Sequence, residues 1–131
     1  MMRSLVRQAI ISDPTINALG ITGPNCFAVD VDTPQERPFL QLRWGRTDLG
    51  LDVATRRNLV VWVHDQPGDY TLHIDPIIYR LRFLIPSLEG QATGTGYVMG
   101  AEWNGDSEDL ADDGHKTITR NVSFSLVGSG Q

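Results

Sequence analysis

A chain of 131 residues has the length of one ordinary domain, which buries roughly two-thirds of its unfolded surface. Its 40% apolar and 21% charged residues are globular values and exclude a disordered chain. The net charge of -5 and a pI near 5.0 exclude a nucleic-acid binder that works by neutralising phosphates, because such binding needs a clustered basic face.

The basic residues are scattered, and all but Lys116 are arginines. Coding bias accounts for such an excess, and so does use at protein interfaces, where Arg is enriched. Cys26 is the single cysteine, so no intramolecular disulfide is possible. Arg7 and Gln8 interrupt the apolar stretch that a signal peptide would need, and the longest apolar run, Leu59–Val63, is far too short to span a membrane. These features lead us to expect a soluble protein made and used without export.

In chain order, Leu5, Val6, Ala9 and Ile10 recur at helical spacing, and Asp13-Pro14 ends that helix. A short turn over Thr15–Leu19 closes at Gly20. Cys26–Val31 alternates weakly until Thr33-Pro34. Pro38–Gly45 reads as a strand, with Leu40, Leu42 and Trp44 on one face and Phe39, Gln41 and Arg43 on the other. Asn58–His64 is apolar on both faces and is expected at the centre of its sheet. Between them, Arg46–Arg57 (RTDLGLDVATRR) is long for a hairpin connection and reads as a functional or mobile loop. Asp69 or Thr71 is placed to cap a helix carrying Ile74, Ile77, Ile78, Leu81 and Ile85 on one face, with Asp75 as the alternative N-cap before Pro76. Pro86 stops it, Gly90–Gly96 is a link, and Tyr97–Asn104 and Lys116–Val127 are the last strands. The order α-β-β-β-α-β-β predicts one α+β domain over residues 1–131. Its mixed or antiparallel sheet has about five strands, with two main helices on one face.

The acidic segment before the last strand invites a test for chemistry. Read as a calcium loop from Asp109, it has Asp113 and Gly114 at positions five and six. Position three is Ala111, however, and position twelve is Arg120, a cation where the ion needs its bidentate carboxylate. Asp112-Asp113-Gly114 reads instead as a hairpin turn supplying the left-handed conformation. Beyond it, Ile118, Val122, Phe124 and Leu126 point to the core, while Thr117, Thr119, Asn121, Ser123 and Ser125 face water or a partner. We expect Val61, Trp62, Ile78, Leu81, Val122 and Phe124 to share one core.

His64 and His73, with Asp65 and Asp75 nearby, lack metal-ligand spacing and read as solvent-facing or hydrogen-bonded histidines. Gly90, Gly94 and Gly96 follow a helix and precede a strand, the reverse of a phosphate loop. Cys26 has no catalytic partner in any motif. No catalytic, metal or cofactor site is expected; Trp44, Trp62, Trp103 and the arginines suit protein contacts, although core packing accounts for Trp62 equally well.

The order of these segments resembles a known family. The residues carrying the resemblance are DPTINAL after the first helix, the strand after RPFL, LVVWVHDQPGDYTLHIDPIIYRLRFLI, and the closing AEWNGDSEDLADDGHKTITRNVSFSLV. The chain resembles the tail terminator, or tail completion, proteins of long-tailed bacteriophages over nearly its whole length. Gly45–Arg57 carries no matching phrase. The resemblance implies a non-enzymatic virion protein, assembled in the host cytoplasm, without a cofactor. It implies a hexameric ring at the head-proximal end of the tail tube, which stops polymerisation of the major tail protein and joins the head completion protein. DNA passes through the lumen of such a ring without specific binding, and no membrane is involved. A head–tail connector or stopper is the neighbouring alternative. A small metal-dependent hydrolase using His64, His73 and the acidic loop is the alternative from another class.

A closed ring of identical subunits needs two different surfaces to meet head to tail. Arg46, Arg56 and Arg57 on one side and Glu108, Asp109, Asp112 and Asp113 on the other are the candidate subunit-interface residues, paired by opposite charge.

Overall fold

Met2, Val6 and Ile10, spaced four apart, form the fully buried stripe of α1 (Met2–Ile11). The computed structural model describes residues 2–28, 35–49, 55–92 and 97–128. After α1, Asp13 caps α2 (Pro14–Ala18) by accepting from the Ile16 amide at 3.1 Å, with proline at the first helical position. Gly20 then turns the chain with φ near 98°, a conformation that a side chain disfavours.

One mixed sheet follows. β1 (Cys26–Phe27) runs parallel to β2 (Phe39–Leu49); β2 pairs antiparallel with β3 (Thr55–Asp65), and β3 with β6 (Thr117–Gly128). β4 (Val98–Asp106) and the short β5 (Leu110–Asp112) both pair with β6, giving the order β1-β2-β3-β6-β4 with β5 beside β6. Asn58–His64 thus takes the central position that its apolar run predicts. The fold is α+β, as expected, with six strands among the described residues.

The helical layer covers one face of the sheet. α3 (Ile74–Leu84) buries Ile74, Ile77, Ile78 and Leu81, and Ile85 follows them into the core. Opposite lie Leu40 and Leu42 of β2, Leu59, Val61 and Val63 of β3, and Val122, Phe124 and Leu126 of β6. Each fully buried side chain of this size contributes about 1.5–3 kcal/mol relative to exposure. Asp13 fastens the layer together: Arg80 of α3 donates to both its oxygens, at 2.8 and 3.0 Å.

Several expectations need correction. Arg46–Arg57 is no simple loop, because β2 and β3 continue into it and pair as Thr47–Arg57, Asp48–Arg56 and Leu49–Thr55. Residues 50–54 lie outside the described residues. A bulge between Trp44 and Thr47 lets the mixed polar segment stay in the ladder despite broken alternation. The N-cap of α3 is His73, not Asp69, Thr71 or Asp75, and the Asp69 carboxylate instead closes a local turn onto Thr71. Trp62 points away from the core, since its neighbours Val61 and Val63 take the helix side and strand side chains alternate. The turn after β5 places its left-handed residue at Lys116, with φ of 56°, and not within Asp112-Asp113-Gly114. Of Cys26–Val31, the strand comprises Cys26–Phe27; residues 29–34 lie outside the described residues, as do residues 93–96 of the Gly90–Gly96 link.

Candidate interaction surfaces and a histidine–aspartate cluster

The acidic segment divides around β6. Arg120, on the helix side of that strand, donates to Asp75 at 2.6 Å and lies 3.6 Å from both Asp106 and Asp109. It also donates to the Ser107 carbonyl at 3.1 Å. The cation that spoils a calcium loop is thus the hub that gathers the carboxylates on this side. Glu108 and Asp113 are exposed.

Asp112 belongs to the other face. Its carboxylate accepts from the His115 backbone amide at 3.0 Å and from His115 Nδ1 at 2.9 Å. Burial opposes its ionisation, yet these hydrogen bonds and the histidine charges hold its carboxyl below the usual range. His64, at the end of β3, sits beside this pair with its ring centroid 5.1 Å from that of His115. Phe39 stacks on His64 face to face at 4.5 Å, and His64 Nδ1 meets Thr117 Oγ1 at 2.8 Å. His64 is 1% exposed, and its Nε2 has no partner among the described residues. Burial, then the charge of His115, pushes the His64 pKa down to about 4, with Asp112 opposing, so the ring is neutral at pH 7.

The hydrolase alternative draws on His64, His73 and the acidic loop; the structure places His64 beside that loop and His73 on Asp65. His73 Nδ1 is held by Asp65 at 2.7 Å, whereas His64 meets His115 and Asp112. No short-range spacing links His115 to His64; only the β3–β6 and β5–β6 registers bring them together. Cys26 is buried, and burial raises its thiol to about 11 against the opposing charge of Arg7, leaving an unreactive side chain.

The candidate arginines fare unequally. Arg46 lies in β2 at the bulge. Arg57 is engaged within the chain, donating to the Gly45 carbonyl at 3.2 Å with its guanidinium 5.4 Å from the Trp44 ring centre. Arg56 is exposed. In register, Arg56 pairs with Val127, while the acidic segment adjoins the opposite end of β6 near Ile118 and Thr119. The two charged groups therefore lie at opposite ends of the ladder, roughly 30 Å apart for nine strand steps.

The outer surface of α3, away from its buried stripe, carries an aromatic pair. Tyr79 and Phe83, four residues apart, are 62% and 57% exposed and stack edge to face at 5.2 Å. With Pro14, Ala18, Leu19 and Pro76 they line a groove of about 660 Å³ between α2 and α3. Their i, i+4 spacing on the face away from the core was the available signal.

No family model matches this chain, and no curated protein matches it. Among solved structures, it is similar to a chain of the virion of a native gene transfer agent (GTA) particle. The TM-score is 0.74 at 12% identity, and the match covers 98% of this chain and 95% of that chain. At this identity the likeness is one of fold, and it extends over both chains almost end to end.

Proposed function

We propose that this protein is a non-enzymatic structural component of a virion, and within it the tail terminator. In this reading identical subunits form a ring, hexameric in the resembling family, at the head-proximal end of the tail tube. The ring stops addition of the major tail tube protein and offers its other side to the head completion protein. The observation carrying the proposal is the near end-to-end likeness of fold to a chain of a gene transfer agent virion. The sequence resemblance to tail terminators supplies the finer role.

The distribution of surface chemistry supports assembly. Arg56 at one end of the ladder, and Glu108 and Asp113 near the other, provide the two unlike surfaces that a head-to-tail ring needs. Arg57, Asp109 and Asp112 enter such a contact less readily, because Trp44, Arg120 and His115 respectively already engage them. An acidic ring repels the DNA that passes through its lumen, so it does not grip the genome.

The test is to add the purified chain to tail tube protein polymerising in vitro and to follow tube length by electron microscopy. Substoichiometric protein should arrest growth at one end and appear there as a ring. Unarrested tubes with no bound ring would overturn the terminator reading. Binding to head connector assemblies alone would favour the stopper role.

A further inference from the structure

We infer that His64, Asp112 and His115 form a binding site for a zinc-class divalent cation, which fastens the turn between β5 and β6 to the central strand. The three residues come from three places: the end of β3, the end of β5 and the turn at 113–116. One ligand-capable atom from each lies within 4.8 Å of the other two. Two imidazoles and one carboxylate are the donor set of zinc and its transition-metal neighbours; calcium and magnesium require oxygen.

The independent observation is His64 itself. It is wholly buried, its Nδ1 is engaged by Thr117 Oγ1 at 2.8 Å, and its Nε2 meets no polar partner among the described residues. A buried ring nitrogen without a partner is costly, and a cation bound there relieves that cost. The Thr117 contact also matches how a metal-bound histidine uses its other nitrogen, which fixes the tautomer and the ring plane. Phe39 packs on the flat of the ring, 3° from parallel, and not on its edge, where a metal binds.

Zinc bonds of about 2.0–2.2 Å bring tetrahedral ligand atoms to roughly 3.5 Å from one another, so the cluster must contract slightly. Asp112 and His115 supply that movement. Both are partly exposed, while His64 is held by its strand, Thr117 and Phe39. The Asp112–His115 hydrogen bond then gives way to bonds to the ion. Three protein ligands leave a fourth position for water or for a group of a neighbouring subunit.

The experiment uses the full chain without an affinity tag, stripped with chelator and dialysed. Zn²⁺ is titrated calorimetrically and Co²⁺ by its visible absorption. We expect one ion per chain, a four-coordinate cobalt spectrum, and a raised thermal midpoint with Zn²⁺ but not with Mg²⁺ or Ca²⁺. Asp112→Asn and His115→Gln, both at partly exposed positions, should each weaken binding at least tenfold. Their circular dichroism should remain that of the parent. His73→Gln, outside the cluster, should leave affinity unchanged. Absence of stoichiometric binding to the parent chain would overturn the inference. So would binding that survives both substitutions, or binding abolished by His73→Gln.

Discussion

The two faces of the β3–β6 ladder solve different problems with the same backbone. On the helix side, Leu59, Val61 and Val63 meet Val122, Phe124 and Leu126, and packing alone holds them. On the opposite side, Trp62 is half-buried, and His64, Thr117 and Thr119 are buried polar groups whose positions rest on hydrogen bonds. Thr119 Oγ1 donates to the Val63 carbonyl at 2.8 Å, and Thr117 holds His64. Close packing tolerates many apolar residues of suitable size. A buried polar cluster tolerates few substitutions, because each leaves another group unsatisfied. The aliphatic face therefore supplies stability, and the polar face is where chemistry and recognition can reside.

The comparison breaks most visibly at Phe124. Phe124→Ala should cost about 3–5 kcal/mol in a urea unfolding experiment; a loss below about 1 kcal/mol would mean that the helix face is not the main source of stability. Next in size is Asp13→Ala, which removes the α2 cap and the paired hydrogen bonds from Arg80, at about 2 kcal/mol.

The same residue carries a pH signature. Hydrogen bonding from Arg80, against the opposing effect of burial, holds the Asp13 carboxyl below its ordinary value. A depressed carboxylate stabilises the fold above its unfolded pKa of roughly 4, and that contribution is lost as pH falls through the lower folded value. The thermal-midpoint difference between the parent chain and Asp13→Asn should be full at pH 7 and shrink progressively below about pH 4. A constant difference over that range would place the interaction elsewhere.

On the polar face, Thr119→Val should cost about 1 kcal/mol, and Trp62→Ala a similar amount. A Trp62 effect as large as that of Phe124 would erase the distinction between the faces. Smallest is Arg56→Glu, expected within about 0.5 kcal/mol of the parent in stability. Any effect on ring formation would then be one of assembly, and it should weaken in the parent chain with added salt.

Where periodicity was clean, the fold was legible. Ile118–Leu126 alternates, and Ile74–Ile85 steps by three and four, so each element announced its buried face. The side on which Trp62 lies is not legible, because a run apolar on both sides has no alternation to split. The full length of β2 and β3 is not legible, because Arg, Thr and Asp interrupt the apolar pattern where backbone pairing continues through a bulge. β5 leaves no signal, because three residues carry no period. Ala111 and Arg120 stand where a calcium loop needs oxygens, so the acidic segment reads as a turn, but its two destinations are not legible in its spacing. Arg120 draws Asp106 and Asp109 to the helix side, while His115 draws Asp112 to the other. Only tertiary register decides that division.

Tail length in particles assembled with and without this protein tests the terminator account most directly. Without the protein, the account predicts tail tubes of uncontrolled length, unjoined to heads, with normal length restored when the gene is supplied in trans. Tubes of normal length in its absence would contradict the account.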